Sequence, residues 1–268
     1  MHSIASLLAA AQIPLLEARM LLMVVLNKSR IQLITQSDYQ LTQTELEVYQ
    51  QLEQRRVLGE PIAYLTGQRE FYGLNFRVTP DVLIPRPDTE LLVELALHYA
   101  PQHSTLLDLG TGSGAIAVTI AYQRRDLQVW ASDISDAALA VAQQNAFDHH
   151  CTITFTRSDW YAQLPQRRWQ TIVSNPPYIK QHDAHLGQGD LRFEPINALT
   201  DHADGLSACR QLITGAAARL SAGGWLLIEH GYDQAAPVRE LLAQQPFEQI
   251  QSWRDIAGIE RVSGGKLT

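Results

Sequence analysis

Apolar residues recur at two different periods along the chain, and the change between them divides it. Up to about Gly67 the period is helical and no convincing strand occurs. Pro14 suits a first helical turn, and Leu16, Met20, Met23 and Val24 then recur at helical spacing up to Asn27. Thr42 and Glu45, three positions apart, form a capping box that opens a second helix running to Gly59, with Pro61 just beyond. The pattern predicts a small helical bundle over residues 1–68, and amphipathic packing accounts for its aliphatic positions.

Over residues 69–87 the texture changes. Phe71-Tyr72-Gly73-Leu74-Asn75-Phe76-Arg77-Val78 places aromatic and β-branched residues around Gly and Asn, as in a hairpin, and reads as a linker. The prolines of Ile84-Pro85-Arg86-Pro87-Asp88-Thr89-Glu90 forbid a helix through them, and a Leu-rich helix capped by Asp88 or Thr89 is expected immediately afterwards. Arg86 and Glu90 flank that helix start, where they can line the entrance to an active site or, being four apart, form a surface or hinge ion pair. Residues 88–268 form a second domain in which, from Thr105 onward, short apolar strands alternate with helices, the pattern of an α/β sheet. Strands are expected near 105–109, 128–133, 152–156, 171–174, 225–229 and 247–253. Helices are expected over 136–147 and about 205–220, the latter stopped by Gly223-Gly224. The last residues, Ser263 to Thr268, read as a variable tail.

With 268 residues and 46% hydrophobic content the chain can bury a sizeable core, which argues against disorder. A formal net charge of −7 argues against a broad electrostatic footprint on nucleic acid. Cys151 and Cys209 are too few and too far apart for a disulfide scaffold or a zinc site, and no metal-ligand set is evident. The apolar run Met20 to Leu26 is far short of a membrane span, and no basic stretch precedes Leu7 to Ala11 as in a secretory signal. A soluble, cytoplasmic protein is expected.

Two segments carry candidate chemistry. Leu106-Leu107-Asp108-Leu109-Gly110-Thr111-Gly112-Ser113-Gly114 is a strand turning through glycines into a helix, a loop where backbone can approach a ligand closely. One βαβ unit later Asp133 ends the next strand, where a carboxylate can accept from both hydroxyls of a ribose. Alone, Gly110-x-Gly112-x-x-Ala115 also fits a dinucleotide fingerprint. Asp108 separates the readings, because a carboxylate aimed into the loop suits a cationic amino-acid moiety and is awkward beside a pyrophosphate. S-adenosylmethionine carries an ammonium and a sulfonium. After the third strand Trp160 offers an apolar face for its adenine, with core packing as the competing reading.

The second segment is Asn175-Pro176-Pro177-Tyr178, following the apolar run Thr171 to Ser174. Two prolines remove two N–H donors and make a stiff elbow with outward carbonyl acceptors. The Asn175 side-chain oxygen and the Pro176 carbonyl can each accept one hydrogen of an –NH2 group while the Tyr178 ring covers its flat face. Such a clamp favours a pyramidal nitrogen with its lone pair aimed at a methyl donor, and needs no strong general base. An ordinary turn is the plain alternative. Asn175, Pro176 and Tyr178 are thus the candidate catalytic residues.

Together, Gly59-Glu60-Pro61-Ile62-Ala63-Tyr64-Leu65-Thr66-Gly67, Glu70-Phe71-Tyr72-Gly73, the Ile84 to Glu90 segment, Asn175 to Tyr178, Arg192-Phe193-Glu194-Pro195 and Ala203-Asp204-Gly205-Leu206 closely resemble the HemK/PrmC family. Further matches are Arg254-Asp255-Ile256-Ala257-Gly258 and Glu260-Arg261-Val262. The resemblance implies an α/β fold, a Rossmann-like seven-stranded methyltransferase domain preceded by a small α-helical bundle that helps dock the substrate. It implies methyl transfer from S-adenosylmethionine to the amide nitrogen of the glutamine in the Gly-Gly-Gln motif of class I peptide chain release factors. Carried onto this chain, Gly110, Thr111, Gly112, Ser113 and Gly114 would hold the methionine part of the cofactor and Asp133 its ribose. Trp160 would flank the adenine, Asn175 would touch both cofactor and substrate, and Asn175, Pro176, Pro177 and Tyr178 would clamp the glutamine. Adenine methylation of nucleic acid shares the elbow but would call for a basic groove or target-recognition region, neither of which the sequence displays. A nicotinamide-dependent dehydrogenase fits the glycine loop alone, and a non-catalytic binder has little use for the clamp.

Overall fold

The computed structural model describes residues 2–268. Contacts divide the chain into two units, residues 1–68 and 69–268.

The first unit contains α1 (Ile4–Ala10), α2 (Leu15–Leu26), α3 (Arg30–Thr35), α4 (Gln43–Val57) and α5 (Ile62–Thr66). Polar caps set the starts of α1, α3 and α4, while a proline precedes α2 and α5. Ser3 accepts from the Ser6 amide, and Ser29 with Gln32 and Thr42 with Glu45 form reciprocal capping boxes that satisfy otherwise orphaned N–H groups. Ile4, Leu21, Leu22, Leu33, Leu46 and Tyr49 make its core. The α4 helix stops at Val57, two residues before the glycine expected to end it.

A hairpin follows α5, β1 (Gln68–Phe71) and β2 (Leu74–Arg77), whose two turn residues Tyr72 and Gly73 both have positive φ, as a tight primed turn requires. A single 3₁₀ turn at Pro87–Thr89 leads into α6 (Glu90–Tyr99). There follow β3 (Thr105–Leu109), α7 (Ala115–Gln123), β4 (Gln128–Asp133), α8 (Asp136–Asp148), β5 (Ile153–Arg157) and β6 (Trp169–Ser174). The chain ends with α9 (Ile196–Leu199), α10 (Ser207–Arg219), β7 (Leu220–Glu229), α11 (Ala235–Ala243), β8 (Phe247–Arg254) and β9 (Glu260–Leu267). Seven strands form one sheet in the order β5-β4-β3-β6-β7-β9-β8. All neighbours are parallel except β9, which runs antiparallel to both β7 and β8.

Both faces of the sheet are covered, so the central strand β3 is buried at every position rather than alternating. Leu106, Val129, Val173 and Leu227 join α6 and α7 in the core on one face. On the other, Leu107, Leu109, Ile172, Leu226 and Ile228 pack against Leu212 and Ile213 of α10 and Val238 of α11.

Three expectations are corrected here. The residues read as a tail form β9, with Val262 and Ser263 fully buried and Leu267 6% exposed. Their glycines and serine hide the strand because they are chosen for closeness: a Cβ on Gly264 would lie 2.3 Å from the Leu226 carbonyl oxygen. Nor does either Asp88 or Thr89 cap α6 with its side chain. Arg86 pairs with Glu194 rather than Glu90, and Glu90 accepts from the Tyr72 amide at 3.1 Å.

Candidate active site

The order in which strands are added across the sheet reverses between β3 and β6, and the crevice at their carboxyl ends is where open α/β sheets take ligands. Ser174 anchors this edge, its hydroxyl donating to the Leu109 carbonyl at 2.7 Å. The glycine loop therefore leaves β3 beside Asn175, which leaves β6.

A cavity of about 540 Å³ occupies the crevice, lined on its cofactor side by Gly110, Thr111, Gly112, Ser113, Asp133 and Trp160, and on the other by Thr89, Asn175, Pro177 and Pro195. Gly114, with φ +81°, turns the loop into α7; a Cβ there would come within 3.0–3.2 Å of Ala142 on α8. The loop is held from below: the Gly110 and Thr111 amides both donate to the Ser132 carbonyl at 2.9 Å. Gly112 N–H donates to Asp133 Oδ2 at 2.9 Å and Ser135 N–H to Oδ1 at 3.0 Å, so the carboxylate is oriented with lone pairs to spare. Asn145 of α8 adds a brace that sequence reasoning missed, donating to the Ser113 carbonyl while exchanging hydrogen bonds with the Arg77 backbone.

Asp108 lies behind the loop and is fully buried. Thr111 Oγ1 donates to its Oδ2 at 2.7 Å, and its Oδ1 has no partner within hydrogen-bond geometry among the described residues. Burial, followed by the nearby Asp133 carboxylate, pushes its pKa up to about 7, against the Thr111 hydroxyl and the Ala117 amide. Burial likewise raises Asp133, although three backbone N–H groups oppose it. Two under-neutralised carboxylates at one crevice are the electrostatic complement of a cation.

On the opposite wall, Asn175 Nδ2 donates to Thr89 Oγ1 at 3.2 Å, and among the described residues no donor engages its Oδ1. Pro176 is buried behind it. Tyr178 stands away from the cavity wall, among Glu229, Arg261, Arg86 and Asp88, and burial raises its phenol above the ordinary value. Its carbonyl accepts from Gln234 Nε2 at 2.9 Å; a Cβ on Gly205 would lie 2.5 Å from that oxygen, so only glycine lets the chain pass. Glu194, 6% exposed, receives both the Ile84 amide at 3.0 Å and the Arg86 guanidinium, tying the Arg192 to Pro195 segment to the strap before α6. Glu229 at the end of β7 is buried beside Asn175 and Thr89. The sequence signal for it was a lone acid closing the apolar run Trp225 to Ile228.

The fold and this crevice define a Rossmann-like methyltransferase. Residues 87–190 match the methyltransferase small domain family and residues 1–67 the PrmC N-terminal domain family. Among solved structures, a methyltransferase from Pyrococcus furiosus is similar at TM-score 0.57 and 16% identity over 80% of this chain and 96% of that one. The T. thermophilus 16S rRNA N2 G1207 methyltransferase in complex with AdoMet and guanosine is similar at TM-score 0.54 and 21% identity, over 75% of this chain and 50% of that one. Both likenesses are of fold.

The chain belongs to the release factor glutamine methyltransferase family. It is 54% identical to the release factor glutamine methyltransferase of Burkholderia pseudomallei over 98% of this chain and 95% of that protein. The corresponding Neisseria gonorrhoeae protein is 50% identical over 97% and 96%. The cofactor is S-adenosylmethionine, and the crevice fits it: the unpartnered Asp108 oxygen, the oriented Asp133 and the glycine loop suit an ammonium, a ribose and close backbone approach. Among the described residues no helix is long and apolar enough to cross a membrane.

Proposed function

We propose that this protein methylates, in the cytoplasm, the side-chain amide nitrogen of the glutamine in the Gly-Gly-Gln motif of class I release factors. The observation that carries the reading is Asn175, whose Nδ2 is spent on Thr89 and whose Oδ1 is left as an acceptor at the wall of a cavity opposite the glycine loop. Family membership supports the substrate, since the relatives are named for release-factor glutamine.

When bound, S-adenosylmethionine supplies an electrophilic methyl on sulfonium. The chain's own residues do the rest. Gly110, Thr111, Gly112, Ser113 and Gly114, with Asp108 behind them, receive the methionine moiety; Asp133 accepts from the ribose; Trp160 flanks the adenine. Asn175 Oδ1 and the Pro176 carbonyl each accept a hydrogen of the substrate –NH2, which opposes conjugation of its lone pair with the carbonyl and aims it across the crevice. Pro177 closes the wall, and the partly buried Tyr178, which does not line the cavity, supports the elbow from behind rather than covering the flat face of the amide. Proximity and orientation carry most of the acceleration, which for such traps amounts to about 7–11 kcal/mol.

The test is transfer of labelled methyl from S-adenosylmethionine to a release factor, to the same factor with its Gly-Gly-Gln glutamine replaced, and to adenine-containing DNA. Label in the unaltered factor alone is expected. Label in the DNA would transfer the case to amino-group methylation of adenine.

A further inference from the structure

Glu229 is 1% exposed at the carboxyl end of β7, one position past the Ser174–Ile228 pair, and so stands beside Asn175 on the neighbouring parallel strand. The groups facing it come from three further segments: Asp88 and Thr89 before α6, Asn175 and Tyr178 after β6, and Arg261 on β9. The Thr89 hydroxyl and the Asn175 carboxamide flank its carboxyl and favour its charged form, while its Oε2 has no hydrogen-bond partner among the described residues. A leucine would fill the same space without leaving a buried polar atom unmatched. Packing does not explain the residue.

We infer that Glu229 is a positioning residue for the clamp: as a carboxylate it draws the Asn175 Nδ2 group toward β7 and so turns Oδ1 to the cavity, where it meets the amide to be methylated. The inference rests on the amide-methylation reading above. A carboxamide is nearly symmetric in shape, so packing does not choose between its two flips; a partner of one hydrogen-bonding sign does. An ionised carboxylate accepts only. Once protonated, its O–H can donate to Oδ1 and hold the wrong end of Asn175 inward.

The switch between these states falls in the working range of pH. Burial first, then the Asp88 carboxylate, push Glu229 up to about 7, while Thr89, Arg261 and Asn175 pull it down. Arg261 does not neutralise it alone, being shared with Asp255 at 3.1 Å and Asp88 at 3.5 Å. Tyr178, raised by burial, stays neutral throughout. The clamp is therefore set on the alkaline side.

Methyl transfer to a release factor is followed across pH at saturating S-adenosylmethionine, where an ammonium beside Asp108 lowers that group and removes its titration from kcat. The unaltered enzyme is expected to lose kcat on the acid side of about pH 7. Glu229→Gln, whose N–H can donate to Oδ1, should have kcat about 10²-fold lower, a flat acid side, and cofactor affinity by calorimetry within about threefold of normal. Glu229→Asp, a shorter acceptor, should run slower and keep the acid limb; if Glu229→Gln does not fold, this variant decides, and an undiminished kcat for it overturns the inference. So does a Glu229→Gln enzyme with normal kcat, with reduced kcat but an unchanged acid limb, or with lost cofactor affinity. Absence of transfer by the unaltered enzyme would instead remove the amide-methylation reading beneath it.

Discussion

Asn175 meets three demands with one side chain: it ends a buried strand, it grips Thr89, and it leaves an acceptor at the cavity wall. Replacing it with alanine should lower kcat by roughly 10²–10³-fold, the usual loss for a preorganised contact that strengthens in the transition state; near-normal turnover on a release factor would dismiss it from the clamp. Asp133 is different, since its partner is the cofactor. Asp133→Ala should weaken S-adenosylmethionine binding by about 1.5–3 kcal/mol, the worth of a hydrogen bond to a charged group, read by calorimetry. Both residues were singled out from the sequence because each sits in a local pattern, Asn175 before two prolines after a strand and Asp133 at the end of the strand one βαβ unit after the glycine loop. Thr89, Glu194 and Glu229 were not, because their roles exist only through partners far off in sequence: Asn175 lies 86 positions from Thr89, and Glu194 lies 110 from Ile84. Spacing rules carry no information over such distances.

At the scale of elements, the Thr42–Glu45 capping box placed the start of α4, whereas the Ser29–Gln32 box that opens α3 went unread, and short apolar runs placed six strands of the sheet to within a few residues. The exception was β9. A strand squeezed between two others can use small residues where backbones crowd, and Ser263-Gly264-Gly265 has none of the β-branched bulk by which strands are found in sequence. Its place is fixed by contact. Gly264→Ala should destabilise the protein by about 1–3 kcal/mol through overpacking against Leu226 and Leu227, measured by urea unfolding. A stability unchanged by the added methyl would mean that the strand has room to shift. His230 fastens the same region, its Nε2 2.7 Å from Ser263 Oγ and its Nδ1 2.9 Å from the Gly231 carbonyl oxygen, with burial holding its pKa below the ordinary value.

For the molecule as a whole, Asp108 and Glu229 are both held up to about 7 mainly by burial. A carboxyl raised in the folded state adds stability while it is protonated, and that contribution is lost as pH rises through the folded value. Between about pH 6 and pH 8 each group withdraws roughly 1 kcal/mol, so the protein free of cofactor should unfold at lower urea at the higher pH. Asp108→Asn combined with Glu229→Gln should flatten the dependence; an unchanged slope would place its origin elsewhere. Saturating cofactor should offset the loss by mass action.

The antiparallel β9 also sets an order of events during synthesis. The helical residues 1–68 have a core drawn from their own sequence and can settle as soon as they emerge. The sheet cannot do the same: β8 reaches β7 only through β9, which is made after both. Until residues 260–267 have been synthesised, β7 presents Trp225 to Ile228 as an unpaired apolar edge, open to a neighbouring nascent chain. Ribosomes that stall within the Asp255 to Gly258 turn would therefore leave a chain whose cofactor loop is complete and whose sheet is still open to aggregation.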